Sequence, residues 1–363
     1  MELAPNFAFV PLPPIPAPTP PQIRALAVDH LELLDRTAIP LRTPPHLEIN
    51  NLGLLRDLLG TWSGTGFNVI WRPHRQKAGD PPNQDRFLEL NVTEETIQFE
   101  EIPGNIPNRG FLQDDINMFG LTYLQQISDH NVKIGGKPAG LHIEPGIWAK
   151  VPSTNDPAEP ETVVRMASIP HGTTILAQGK AFDVNGPPQI ADTNILPFAL
   201  PNGSPIHFPE QILATPTAFR SPPAQLAGVT QAMVDNPNSV LKAVIAGQTI
   251  IATTVLIIST DPTPVDGGGT ANTAFLVGTA DGPNAKATKV TAVFWLETVK
   301  GEGGHSNFLQ LQYTQTVFLD FNGVRWPHVT VATLHKKLPN RPLTAHIDPN
   351  VLEVLREKPP LPK

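Results

Sequence analysis

From Thr61 onward apolar and polar residues alternate with a period of two, the repeat of a strand that buries one face. The pattern predicts strands over Trp62–Ile70, Arg86–Asn91, Glu95–Glu100, Leu121–Ser128, Gly140–Val151, Glu161–Ile169, Thr173–Phe182, Thr249–Ser259, Asn272–Thr279, Ala287–Thr298, Phe308–Phe318 and Val329–His335. Turn-forming residues separate most of them: Pro103-Gly104-Asn105, Gly135-Gly136, Pro170-His171-Gly172, Asp281-Gly282-Pro283 and Asn322-Gly323. Many short strands with turns at near-regular spacing point to an antiparallel sandwich or barrel.

Two regions break the alternation. Before it, Pro21–Arg36 places Ile23, Leu26, Ala27, Leu31 and Leu34 at helical spacing, and a second short helix is expected over Leu52–Leu59, ended by Gly60. Within it, Pro222–Asn236 and Asn238–Ile245 read as a helical hairpin with Leu226, Val229, Met233, Val240, Leu241 and Val244 in one apolar stripe. This hairpin ends an insertion running from Asp183 to about Gly247, and to about residue 270 with its flank. Two placements stay open: over a barrel mouth, or flat on the outer surface of the sheet. The chain thus divides into an arm and helix (1–50), a β domain (51–338) and a proline-rich tail (339–363).

Composition narrows the chemistry. The chain of 363 residues is long enough for a sizeable core. A net charge of −7 without a dominant basic patch argues against nucleic acid as a partner. No cysteine is present, which removes disulfides, thiolate metal sites, thiolate-ligated haem and cysteine nucleophiles. The N-terminus lacks a basic and apolar leader pattern, and the longest apolar run, near Ile250 to Ile258, is a strand candidate interrupted by threonines. A soluble, cytoplasmic protein without a membrane partner is expected. The 42 prolines concentrate partly in Pro11–Pro21, an extended arm suited to lying on the surface or reaching another copy in a homo-oligomer.

Several residues could carry chemistry. His328 opens the last strand, and strand parity places Thr330, Ala332 and Leu334 on its face, with His335 opposite beside Lys336 and Lys337. If that face looks inward, His328 is a neutral imidazole at a pocket wall, suited to ligating iron or exchanging a proton, and the small Ala332 leaves room for a ligand. His142, Glu144, Gly146 and Trp148 share one strand face, either as a polar pocket or as a pair that fixes register. His171 sits in a Pro-His-Gly turn, at a rim or simply in solvent. Arg165 lies mid-strand and needs a partner if it faces inward, because an unpaired buried charge is costly. In Gly60-Thr61-Trp62-Ser63-Gly64-Thr65-Gly66, the tryptophan can plug one barrel end while the glycines let the strand bend. Asp114-Asp115 could suggest a cation site, but a lone acidic pair reads rather as a solvated loop. No G-x-S-x-G elbow, P-loop, dinucleotide fingerprint or H-E-x-x-H occurs.

Leu59–Gly64, Leu121-Thr122-Tyr123-Leu124-Gln125, His142–Trp148 and Pro327–Leu334, in that order, resemble the landmarks of nitrobindins. The segment Asn284–Val290 through Tyr313 also fits the family's penultimate strands. The resemblance implies an up-and-down, lipocalin-like antiparallel barrel of ten strands. It also implies b-type haem near one mouth, with the proximal histidine at the position of His328. Trp62, Thr65 and Ala332 are then expected to contact the cofactor. The chain departs from the family in its arm, its insertion and the continuation Phe67–His74, so the reaction does not transfer with the haem. Peroxidase-like redox or isomerase chemistry on a small molecule is expected, with His142, His171, Arg165 and Glu144 as candidate catalytic groups. The alternatives are a non-catalytic carrier of a hydrophobic molecule, and a haem-free barrel enzyme using His142 and Glu144 for proton transfer.

Overall fold

Ten long strands each pair with their neighbour in sequence, and the last pairs with the first. The computed structural model describes residues 51–337, except 112, 157, 202, 262–266, 302, 304 and 305. The strands are β1 (Gly60–Pro73), β2 (Arg86–Glu101), β3 (Ile116–Ile134), β4 (Lys137–Val151), β5 (Thr162–Ile169), β6 (Thr173–Asn185), β7 (Ile250–Ser259), β8 (Lys286–Val299), β9 (Phe308–Phe321) and β10 (Val324–Lys336). All pairings between them are antiparallel, and β1 closes on β10 in a register running from Trp62 opposite Lys336 to Ile70 opposite His328. The result is a closed up-and-down antiparallel barrel, compatible with the lipocalin-like type. Closure removes the sheet edges that an open meander would expose.

The predicted turns make the tightest connections. Gly135 and Gly136 have φ +59 and +78, and Asn322 and Gly323 have φ +49 and +71, the left-handed pair that a two-residue hairpin requires.

The sequence pattern predicts a break between Asn91 and Glu95, but β2 runs through it. Asn91, Thr93 and Glu95 alternate on the inward face, and the interior they meet is itself polar, so period two persists without apolar residues. Asn272–Thr279 is corrected more sharply. A short strand, Gly269–Asn272, pairs with β6 and gives way to a single helical turn, α3 (Ala274–Val277), which Gly278 ends at φ +81.

The interior is layered along the barrel axis. One end is filled by apolar side chains including Trp62, Trp148 and Leu334, and a 3-10 helix, Gly53–Leu58, seats Leu55 and Leu58 against them. Trp62 donates its indole Nε1–H to Leu58 O at 2.7 Å, which satisfies that buried donor within the plug. This is the helix expected over Leu52–Leu59, wound more tightly. Next comes a buried polar layer, and beyond it a cavity at the opposite end.

The connection from β6 to β7 settles on the outer wall. Its hairpin consists of α1 (Gln231–Asp235) and α2 (Asn238–Ile245); Pro222, Pro223 and Gly228 (φ +82) shorten the first helix from the expected span. Val234 and Leu241 pack with Phe67, Val329 and Val331, which point outward from β1 and β10. Asn238 Oδ1 accepts from Thr314 Oγ1 at 2.5 Å, and Gln312 Nε2 donates to Leu241 O at 3.2 Å, fixing α2 on β9. Earlier in the connection, Trp71 donates to Ile195 O at 2.8 Å, and Phe208 stacks on Trp326 at 5.5 Å. The guanidinium of Arg220 ties one loop together by donating to the carbonyls of Glu210, Ile212, Leu213 and Thr215. The hairpin therefore covers the wall, and α3 occupies the mouth instead.

No helix among the described residues is long and apolar enough to cross a membrane. The helix expected over Pro21–Arg36, the proline arm and the tail lie outside the described residues.

Leu241→Ala removes a fully buried side chain at the seat of the hairpin. We expect it to destabilise the protein by about 2–5 kcal/mol in urea unfolding.

Candidate functional site

A cavity of about 440 Å³ opens at the barrel end opposite Trp62, within the range of about 300–1,000 Å³ that suits small-molecule ligands. Its apolar lining comes from strand positions such as Ile70, Ile127 and Val317, and from Phe275 and Leu276 of α3. Phe275 is 62 % exposed and forms part of the rim.

His328 lines this cavity, as do His142 and His171, so strands β4 and β10 and the β5–β6 turn bring three histidines from distant sequence to one chamber. His328 Nε2 lies 3.1 Å from Asn68 Oδ1, which also accepts from Thr330 Oγ1 at 2.6 Å. That arrangement sets the tautomer: the proton sits on Nε2, and the Nδ1 lone pair stays free. Burial pushes the His328 pKa down to about 3, helped by the nearby His142 and His171. The ring is neutral at ordinary pH. His335, on the opposite parity, is exposed.

His142 and His171 face each other with ring centroids 5.9 Å apart. His171 is held below its usual pKa by burial and then by His142. His142 Nε2 lies 3.3 Å from Glu144 Oε2, while the other carboxylate oxygen, Oε1, accepts from both Tyr123 Oη and Arg165 Nη2. Arg165 Nε donates to Tyr123 Oη at 2.8 Å and Nη1 to Gln315 Oε1 at 2.6 Å. Its guanidinium also lies 5.4 Å from the Phe294 ring centroid. Glu144 and Arg165 are 0 % and 1 % exposed. Burial works to raise the Glu144 carboxyl, but Arg165 and His142 outweigh it and bring it to about 2. The pair is therefore ionised, sealed below the cavity, and connected to it through His142 and Gln315. Gly146 makes room for this: a Cβ there would fall 2.5 Å from the Tyr123 ring.

The other expected contacts lie elsewhere. Trp62 plugs the far end of the barrel, Thr65 is exposed on the outward parity of β1, and Ala332 is buried in the apolar interior below the cavity. None of these three lines it. Among the described residues, no group of three or more histidine or acidic side chains could hold a bare metal ion.

Sequence reasoning missed a second buried carboxylate. Glu95 accepts from Tyr313 Oη at 2.5 Å, Thr93 Oγ1 at 3.1 Å and Gln125 Nε2 at 3.4 Å, and no cation pairs with it among these partners. Burial raises its pKa to about 7 against those hydrogen bonds. Its inward parity with Thr93 and Ile97 was the available signal. Both tyrosines of the chain, Tyr123 and Tyr313, stand in this polar layer.

Compared with protein-family models, curated proteins and solved structures, the chain matches none.

Removing Arg165 while leaving Glu144 strands a charge in the interior. Arg165→Met should cost about 3–5 kcal/mol in denaturant unfolding, and pairing it with Glu144→Gln should recover part of that loss. A cost no larger than that of an exposed arginine would contradict a buried pair.

Stability should also carry a pH signature. Glu95 titrates near 7 in the fold against an ordinary value of 4.5, so its contribution is present below 4.5 and lost as pH rises to about 7. His328 titrates near 3 against 6.5, so its contribution is present above 6.5 and lost as pH falls toward 3. Stability in urea between pH 4.5 and 6.5 should therefore rise more steeply with pH in Glu95→Gln than in the parent, and less steeply in His328→Gln. Equal slopes in all three proteins would contradict both shifts.

Proposed function

We propose that this protein binds b-type haem in the cavity, with the imidazole of His328 as axial ligand. The observation that carries the reading is the state of that ring. It is neutral, lines the apolar cavity, and has one nitrogen anchored by an amide oxygen and the other free. Metal-binding histidines are held in this way, the second-shell acceptor fixing both tautomer and orientation. Nothing protonates the free nitrogen until the medium is far more acidic than neutral, so no proton competes for the ligand position.

Haem bound there would supply redox or isomerising chemistry on a small molecule. The chain's own residues set the conditions. The apolar lining excludes water, and Asn68 with Thr330 holds His328 in place. His142 is oriented by Glu144, itself locked by Arg165 and Tyr123, so an imidazole with a fixed direction stands at the cavity wall beside His171. That pair is the best-placed acid–base equipment for a bound molecule. Arg165 acts only through Glu144 and Gln315.

A second reading, a carrier of an uncharged apolar molecule, is favoured by the charge inventory. Arg165 is committed to Glu144, and Arg72 at the rim pairs with Glu89 at 3.1 Å. A ligand carrying carboxylates would have to compete for those cations.

Titration with haemin separates the two. Haem binding predicts a saturable Soret band at one equivalent, which His328→Ala shifts or abolishes, and which Asn68→Ala weakens by about 10- to 100-fold in affinity. No Soret change, together with an extractable apolar molecule in native mass spectrometry, would replace haem with the carrier. A Soret band indifferent to His328→Ala would overturn the ligation.

A further inference from the structure

We propose that Glu95 is a proton-holding group that exchanges its proton with the cavity through the hydroxyl of Tyr313. The inference rests on the cavity receiving a ligand, but concerns a different part of it from His328. Three geometric facts carry it.

First, the path is continuous. Tyr313 lines the cavity and its Oη donates to Glu95 Oε2 at 2.5 Å. Gln125, another cavity-lining side chain, donates to the same Oη at 2.8 Å and so fixes the hydroxyl's direction. With one lone pair used by Gln125 and its proton aimed at Glu95, Oη has one lone pair left to accept from a molecule in the cavity.

Second, the carboxylate lacks the partner that would fix its charge. The polar layer holds two buried glutamates with different surroundings. Glu144 has Arg165; Glu95 has only hydroxyls and an amide. The remaining titratable or charged groups around it are committed elsewhere. Asp129 of β3 accepts from Asn91 Nδ2 at 2.8 Å and from the backbone of Asn131 and Val132. His142 of β4 leans on Glu144, Arg165 of β5 and Tyr123 of β3 belong to that same cluster, and His328 of β10 bonds Asn68. An unpaired buried carboxyl exchanges its proton near neutral pH, where a paired one stays ionised. Burial lifts Glu95 to about 7 in accord with that geometry.

Third, Glu95 is 3 % exposed and does not line the cavity, whereas its partners Tyr313 and Gln125 do and so stand between it and any molecule there.

The transfer balances without a co-reactant. A cavity molecule X–H gives its proton to Tyr313 Oη as the tyrosine's own proton moves to Glu95 Oε2. The X–H bond and the original Tyr313 O–H bond break, and new O–H bonds form on Tyr313 and Glu95. The molecule is left one unit more negative, the carboxylate becomes a neutral acid, and Tyr313 is regenerated. The reverse sequence returns the proton. The ligand class is a molecule with an acidic O–H or N–H, or the conjugate oxyanion, at the end that reaches the cavity floor. In this chain Tyr313 is the contact and Glu95 a positioning residue acting through it.

Infrared spectroscopy of the ligand-free protein tests this independently of haem. A carboxylic acid C=O band should titrate near neutral pH, vanish in Glu95→Gln and change frequency in Tyr313→Phe. After a pH jump, protonation of that band should slow by about tenfold or more in Tyr313→Phe, since a positioned proton-transfer group contributes about 10²–10⁴ to such a step. A band that Glu95→Gln leaves in place, or that titrates in the ordinary carboxylate range, would overturn the proton-holding role. An unchanged rate in Tyr313→Phe would overturn the relay. Glu95→Asp serves if the glutamine variant fails to fold, with the band expected to shift and not vanish. Absence of a Soret band in the parent protein together with a near-neutral Glu95 titration would overturn haem binding while supporting the relay.

Discussion

The ion pair between Glu144 and Arg165 is the constraint around which the interior is arranged. Each charge would be prohibitive alone in an interior this dry, so each must be met by the other and by further hydrogen bonds. Tyr123 supplies a hydroxyl to both, Gln315 takes the third guanidinium nitrogen, and His142 meets the remaining carboxylate oxygen. Five side chains from four strands are thereby fixed relative to one another. The orientation of His142 at the cavity wall follows from that network, as does the position of Gln315. Conformational precision at the wall is achieved by a polar network below it, where a purely apolar filling would leave the ring free to turn.

Two carboxylates in one layer then acquire different characters. Glu144 has a cation and stays ionised; Glu95, with hydroxyls and an amide, is poised near neutrality. The same barrel end also holds a histidine that resists protonation. Burial drives both the Glu95 and the His328 shift, disfavouring charge on an acid and on a base alike. Under the proposed relay, the acid behind Tyr313 would take up a change in charge on a ligand without help from solvent.

Much of this was legible in the sequence, and the parts that were not have physical causes. Period two identified most strands and put His328 on one face with Thr330, Ala332 and Leu334, leaving open only whether that face looks inward, because a strand allows only two directions. The dipeptides Gly135-Gly136 and Asn322-Gly323 marked their hairpins by backbone need alone. Asn91 to Glu95 was misread because polar residues facing a polar interior look like a gap. Ala274–Val277 was misread because a single helical turn of apolar residues has the composition of a strand. The insertion's apolar stripe announced a partner but not which one; only the outward Phe67, Val329 and Val331 decide that. The partnership of Glu95 with Tyr313 spans 218 residues. Parity says that both look inward, but not that they meet.

The plug of Trp62 with Leu55 and Leu58 makes the barrel a blind vessel. A molecule that enters past Phe275 can leave only by turning back along the same route. Depth and rim therefore govern different quantities. For a ligand of the proposed kind, the histidines of the wall and Tyr313 would set which molecule is held and how tightly. The short helix at the mouth would set how often the vessel exchanges its contents. Selection acting on α3 could alter residence time while leaving chemical recognition untouched.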